Sequence, residues 1–243
     1  MTLKIMSYNI HSGVGVDGVQ DYDRIGRFLA EQGADVVLLQ EVDTRSLPGF
    51  PDEHMEALCA GDHFRLLPSP AVYTSDGWFG NGVLTRFPAV FSQSIDVSQV
   101  GRQPRNIQEV IVNTDEGLLY LLNTHKGLRA IERREQINRL GRHLQNARAI
   151  PTVVGGDFNE WQLLSPRLHK LNEILVPLAL SATFPTAWPV FRLDRFWVDP
   201  GTMVMSTQVV KTAESRVYSD HYPIELVIDL SAVTTRNPEK AFA

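Results

Sequence analysis

No stretch of about 18 or more apolar residues occurs in this chain, so a membrane-spanning helix is not expected. Cysteine is almost absent. Cys59 stands alone, which excludes an internal disulfide and suits the reducing cytosol, the compartment expected here. The N-terminus, MTLKIMSYNI, enters a strand-like alternation at once and lacks the apolar run and cleavage site of a signal peptide. A gene start further upstream would leave the periplasm or cell surface open. Basic charge is in short supply: 23 Lys and Arg stand against 28 Asp and Glu, a formal net charge of −5. A protein that grips long duplex nucleic acid usually presents a basic surface, and the global field here does not draw polyanions in. There is no Cys-x-x-Cys or HExxH, which disfavours zinc. A Gly-x-x-x-x-Gly-Lys-Ser/Thr loop and a GxSxG elbow are missing too.

What is present is an ordinary globular composition, 43% hydrophobic and 21% charged over 243 residues, without repeats or low-complexity blocks. Apolar strand-like runs recur: LKIMSYNI, DVVLLQEV, NGVLTRF, IQEVIVNT, LLYLLNTH, PTVVGGDF, FRLDRFWV, MVMSTQVVK and YPIELVIDL. Between them lie helical stripes, one of Ile25, Phe28 and Leu29 stopped by Gly33, and one of Ile137, Leu140, Leu144 and Ala147. Many strands of mixed type with fewer helices imply an α/β domain with more than one sheet. A single domain over 1–230 is expected, with a polar, fraying tail at 231–243.

Polar residues fall at strand ends. Asn9 ends the first run and Glu41 the second; His125 ends LLYLLNTH, and Asp157 and Asn159 end VVGGDFN. Asp194 sits in FRLDRFW, and Asp220 and His221 precede the last run. Taken singly, each has a bland reading: a turn former, a solvated strand end, an edge histidine, half of a surface ion pair. As a set, four carboxylates, two amides and two imidazoles make a hard, oxygen-rich environment that suits Mg²⁺ or Mn²⁺. In VVGGDFNEW, Asp157 and Asn159 are one extended-chain period apart and face the same way. Gly155 and Gly156 permit a turn or a close approach.

The ordered motifs SYNIH (7–11), LLQEV (38–42), GNGVLTRFP (80–88), LLNTHKG (121–127), VVGGDFNEW (153–161), FRLDRFW (191–197) and SDHYP (219–223) resemble those of the endonuclease/exonuclease/phosphatase superfamily, the DNase I-like metal-dependent phosphoesterases. That resemblance implies a four-layer α/β/β/α sandwich, two packed mixed β-sheets flanked by helices, with the site at one end. It implies that Glu41 is the principal ligand of a Mg²⁺ (or Mn²⁺) ion, with Asn9 and Asp220 beside it. His125 would bond the phosphate, and Asp157 would orient or deprotonate water. Asn159 would steady charged oxygens, with Gly155 and Gly156 clearing space for the phosphate. Asp194 would pair with His221, leaving either Asp157 or His221 as base.

The chain departs from the family where His11 replaces an acidic residue common in DNA-repair members, which puts a second metal in doubt. Lys126 stands where an apolar residue is common. His11, Asn81, Lys126, Arg133 and Trp161 are the candidate substrate contacts, Arg133 being either ion-paired inside or at the rim. Other helix cations read as a solvated face, and Arg86, Arg102 and Arg105 have no readable direction. Three substrate readings stay open: a phospholipid or other small phosphodiester, a nucleic acid, or a phosphorylated partner bound without catalysis. Oligomeric state is not readable.

Overall fold

The computed structural model describes residues 2–45, 51–145, 150–162 and 165–231. In chain order the elements are β1 (Thr2–Asn9), α1 (Tyr22–Glu31), β2 (Val36–Asp43), α2 (Pro51–Leu58), β3 (Arg65–Thr74), β4 (Gly77–Thr85), β5 (Ala89–Asp96), β6 (Asn106–Thr114), β7 (Gly117–His125), α3 (Ala130–Gln145), β8 (Thr152–Asp157), α4 (His169–Asn172), β9 (Val176–Pro177), β10 (Asp194–Val198), β11 (Met203–Val209), α5 (Ser215–Tyr218) and β12 (Ile224–Asp229). They form two six-stranded sheets, ordered β11-β12-β1-β2-β4-β3 and β5-β6-β7-β8-β10-β9.

Burial on both faces explains the continuous apolar runs. In β7, Leu119 and Leu121 point into the core between the sheets, beside Ile5, Leu38, Val153 and Phe196. Tyr120 and Leu122 point outward, under Ile137, Leu140 and Leu144 of α3 and Leu171 of α4. On the opposite outer face, Ile25, Phe28 and Leu29 of α1 cover Tyr8, Val37 and Leu39. Asp21 caps α1 by accepting from Arg24 N at 2.9 Å, and the chain leaves the helix through Gly33 at φ +68°. The four-layer α/β/β/α sandwich of two packed mixed sheets expected from the sequence is therefore the observed fold. Ala147 and all of the expected tail but Ser231 lie outside the described residues.

Three strands were not visible as runs. β3 carries Pro68 and Pro70 and lies at a sheet edge, where a missing N–H is tolerated. β5 is a largely exposed edge, and β9 is two residues long.

The inner core turns polar toward one end. Gln40 Nε2 donates to Asn123 Oδ1 across the sheets at 2.7 Å, and Asn123 Nδ2 donates back to Leu39 O and Gly82 O at 2.8 and 3.0 Å. The β2–β4 ladder slips between Leu39 and Val42, so those carbonyls sit where regular pairing ends. Asn123 of the opposite sheet satisfies them. Asn123→Leu should therefore lower stability by about 2–4 kcal/mol, because it strands several buried groups at once. A urea midpoint equal to the wild type would refute this account of the bulge.

Candidate active site

Strand direction alone brings the polar strand ends together. β1 and β2 run parallel with Asn9 beside Gln40, and β7 and β8 run parallel with His125 beside Asp157. Parallel partners share their C-terminal ends. β10 runs antiparallel to β8 and starts with Asp194 opposite Asp157, and β12 runs antiparallel to β1 with Ile224 opposite Ser7. Four strand exits and two strand entries thus meet at one end of the sandwich. Ser219 ties the last of them in, donating from Oγ to Asn9 O at 2.7 Å.

Local backbone then aims the side chains. Glu41 lies in the β2 bulge at φ +57°, and Asn159 has φ +47°. Such left-handed conformations are costly for residues with a Cβ and are held in place by their surroundings. The two glycines before Asp157 serve the fold rather than open space for a phosphate. A Cβ on Gly156, at φ +143°, would meet Thr124 O at 1.9 Å, and one on Gly155 would meet Phe196 at 2.6 Å and Leu38 at 2.7 Å.

Asp157 is the hub. Its Oδ2 accepts from Asn9 Nδ2 at 3.1 Å and lies 3.5 Å from His125 Nε2 and 3.9 Å from His221 Nε2. Its Oδ1 accepts from the Asn159 backbone N–H at 2.8 Å. The same Asn9 amide donates to Glu41 Oε1 at 3.2 Å. Burial pushes Asp157 up to about 6 even against the pull of the His221 cation. For His221, burial works downward, but Asp194, 2.8 Å from Nδ1, outweighs it with help from Asp157 and Asp220 and carries the ring up to about 10. Burial, reinforced by Arg105, His221 and Lys126, holds His125 well below the usual histidine range. Its approaches to Asp157 and to Glu41 Oε1, the latter at 3.7 Å, are thus those of a neutral ring and not ion pairs.

Among the described residues no three His, Cys, Asp or Glu side chains form a closed metal cluster. An open arrangement remains compatible with a hard divalent ion, which keeps several waters and needs one or two carboxylates. Glu41 and Asp220 are the partly open carboxylates here, with side chains 24% and 33% exposed. Asn9 adds an amide oxygen that already accepts from His11 N at 3.1 Å.

The remaining candidates divide. His11 is exposed at the rim, its Nδ1 3.1 Å from Val14 O and 4.0 Å from Asp220 Oδ1. Asn81 is buried and directs its Nδ2 to Asn106 Oδ1 at 2.8 Å. Lys126 is fully buried; its ammonium lies 5.8 Å from the Phe158 ring, with no hydrogen-bond partner, and burial lowers it to about 7. Phe158 belongs to the outer core, so the ammonium is not brought to the carboxylates as a surface cation. Asn159 gives its amide N–H groups to Lys126 O at 2.9 Å and Asp157 Oδ2 at 3.5 Å. Arg133 takes the inward alternative, 3.8 Å from buried Glu160. Trp161 is 40% exposed and packs on Phe184 and Phe191, with Phe184 centred 4.8 Å from the His221 ring.

One residue, Glu160, was missed, and Arg105 stood out only as a cation without a direction. Glu160 of VVGGDFNEW binds Arg133, Arg167 at 3.2 Å and Ser165 at 2.9 Å, fastening the motif to α3 and to the following loop. Arg105 is buried beside the site, lining a narrow cleft with Phe79, Asn81, Asn106 and His125. Burial lowers its affinity for the proton, while Glu41 and Asp157 act in the opposite sense across the site. Only its place before a strand was legible in the sequence.

A family model described as the endonuclease/exonuclease/phosphatase family matches residues 6–221. The uncharacterized protein YbhP of Escherichia coli K12 is 27% identical over 256 residues, covering 94% of this chain and 97% of YbhP. A mannosyl-6-phosphatase from Bacteroides thetaiotaomicron superposes with a TM-score of 0.75 at 20% identity, over 93% of this chain and 99% of that one. Zebrafish TDP2 in complex with a single-strand DNA product superposes at 0.72 with 19% identity, over 94% of this chain and 99% of TDP2.

The Asp194–His221 pair sets a pH dependence. A folded-state value raised from 6.5 to about 10 gives stability that is complete below pH 6.5 and lost as pH rises toward 10. In metal-free protein, imidazole NMR should follow His221 titrating near the upper value, and Asp194→Asn should bring it below the usual histidine range. An unchanged titration in the variant would remove Asp194 as the cause.

Proposed function

This chain belongs to the endonuclease/exonuclease/phosphatase family of metal-dependent phosphoesterases and is a phosphoric ester hydrolase; on that premise we propose that it cleaves a small phosphate ester, with Mg²⁺ or Mn²⁺ as cofactor. The observation that carries this reading is the gathering of Asn9, His125 and His221 within 3.9 Å of a single carboxylate oxygen, Asp157 Oδ2. Glu41, with Asn9 and Asp220, would hold the cation. When bound, it offsets charge on the phosphoryl oxygens and on the leaving group.

Asp157 is the base in this reading. A carboxylate held up near 6 is matched to accepting a proton at neutral pH, whereas His221 is already an imidazolium there. Water attacks phosphorus in line, its proton passes to Asp157, and the P–O bond to the alcohol breaks as the alcohol oxygen takes a proton from solvent. His221 and neutral His125 present N–H groups to the phosphoryl oxygens. Asn159, whose backbone N–H grips Asp157, positions the base.

The inner core shared by both sheets supports reading residues 1–230 as one catalytic domain. No helix among the described residues is long and apolar enough to cross a membrane. The lone Cys59 supports a cytoplasmic setting. A phospholipid headgroup ester fits the acidic chain better than a duplex does. Cleavage at a single-stranded nucleic-acid end is the second reading, favoured by the exposed aromatics Trp161 and Trp188.

A screen of phospholipids, phosphoinositides, nucleotide esters and single-stranded DNA with Mg²⁺ should give release that EDTA abolishes. Asp157→Asn should lower kcat at least about 10³-fold without loss of fold, as expected when a positioned base is removed. Wild-type turnover by Asp157→Asn would overturn the assignment. Binding that weakens steeply with salt would favour the nucleic-acid reading.

A further inference from the structure

Arg105 is 6% exposed, and its Nε has no hydrogen-bond partner. Among the described residues its side chain makes one hydrogen bond, from Nη1 to Pro104 O at 3.4 Å. No carboxylate among the described residues lies within ion-pairing distance. The contrast with Arg45 is direct. Both guanidinium groups pack on Phe79, at 4.9 Å for Arg45 and 5.8 Å for Arg105, but Arg45 is bidentate to Asp43 at 2.9 and 2.7 Å. A buried guanidinium without an anion is costly, and that cost is relieved only when an anion arrives.

The surroundings say where and how large. The cleft beside Arg105 is also lined by His125, the residue that would bond the phosphate in the proposed reaction. The cleft is small, about 10 Å³, on the scale of one water-sized group. Asn106 fixes the cleft wall, donating from Nδ2 to Ser69 O at 2.9 Å and Pro70 O at 3.1 Å.

We propose that Arg105 receives the third unesterified oxygen of a terminal phosphate group, so that this site selects phosphomonoesters over phosphodiesters. The inference rests on the hydrolase reading above and moves its substrate class to the monoesters, away from the diester linkage of a phospholipid headgroup. A phosphodiester presents two unesterified oxygens, and the cation at Glu41 and the histidine N–H groups account for both. A monoester presents a third, and with it a second negative charge, which the cleft and the guanidinium are shaped to accept.

The test pairs p-nitrophenyl phosphate with bis(p-nitrophenyl) phosphate, which share a leaving group. The wild type should favour the monoester, and Arg105→Gln should cut its kcat/KM at least about 100-fold while the diester falls no more than about tenfold. Parallel losses on both esters would overturn the selectivity. Because the variant removes an unpaired buried charge, its Tm should not fall; a drop of more than about 5 °C would make Arg105 structural instead. Calorimetric binding of orthophosphate with Mg²⁺ separates this idea from the hydrolase reading. If the wild type turns over neither ester, the hydrolase reading is what suffers, and at least about tenfold weaker orthophosphate binding by Arg105→Gln still upholds the anion seat. Equal binding by both proteins would remove it.

Discussion

Glu41 and Asp157 come from different sheets, and one amide, Nδ2 of Asn9, donates to both at 3.2 and 3.1 Å. Two carboxylates drawn this close repel each other, and burial of Asp157 makes the repulsion stronger. The amide offsets part of it, and the imidazolium of His221 offsets more. Everything else at this end of the molecule keeps that arrangement assembled. Ser219 Oγ holds the Asn9 carbonyl, Asn159 N holds the far oxygen of Asp157, and Asp194 keeps His221 charged. Holding two carboxylates together puts this end of the fold under tension, which these donors offset.

The same tension is visible in the backbone. Glu41 pays the cost of a left-handed conformation inside a bulge, and Asn123 from the opposite sheet supplies the hydrogen bonds that the bulge leaves open. A regular β2 would send its alternating side chains to the two faces of the sheet. The slip of one residue between Leu39 and Val42 re-aims Glu41 toward Asp157. Gly156 plays the matching part in the other sheet: β8 packs against β7 so closely that no Cβ fits over Thr124 O. Strained and glycine-dependent backbone therefore falls on both strands that carry the carboxylates.

The sandwich was legible because its central strands are buried on both faces and read as unbroken apolar runs. The edges were not, since β3 and β5 are half exposed and β3 carries prolines that look like turn residues. Asn9, Glu41, His125, Asp157, Asp194 and His221 stood out because each is a polar residue at, within or just before an apolar run, and solvation cannot be the whole reason once six such segments recur. Direction was what sequence lacked. Lys126 adjoins His125, but alternation along an extended chain turns its amine to the outer face against Phe158. Arg133 likewise found Glu160, a residue hidden within the very motif that drew attention to Asp157.

Arg105 shows why net charge misleads about a site. A chain of net charge −5 reads as indifferent to anions. The relevant charges are those that water does not screen. Three buried groups, Arg105 and His221 beside the carboxylates and Lys126 against the outer core, are capable of positive charge, and burial strips each of the hydration that would blunt it. His221 has its carboxylate partner in Asp194, and Lys126 is carried toward neutrality by its apolar surroundings. Arg105 has neither escape, because a guanidinium holds its proton under any ordinary burial. What is left at the cleft is a guanidinium with no paired carboxylate among the described residues. On the proposed reading, an acidic surface outside and an unpaired guanidinium inside would together disfavour long polyanions while retaining a compact dianion.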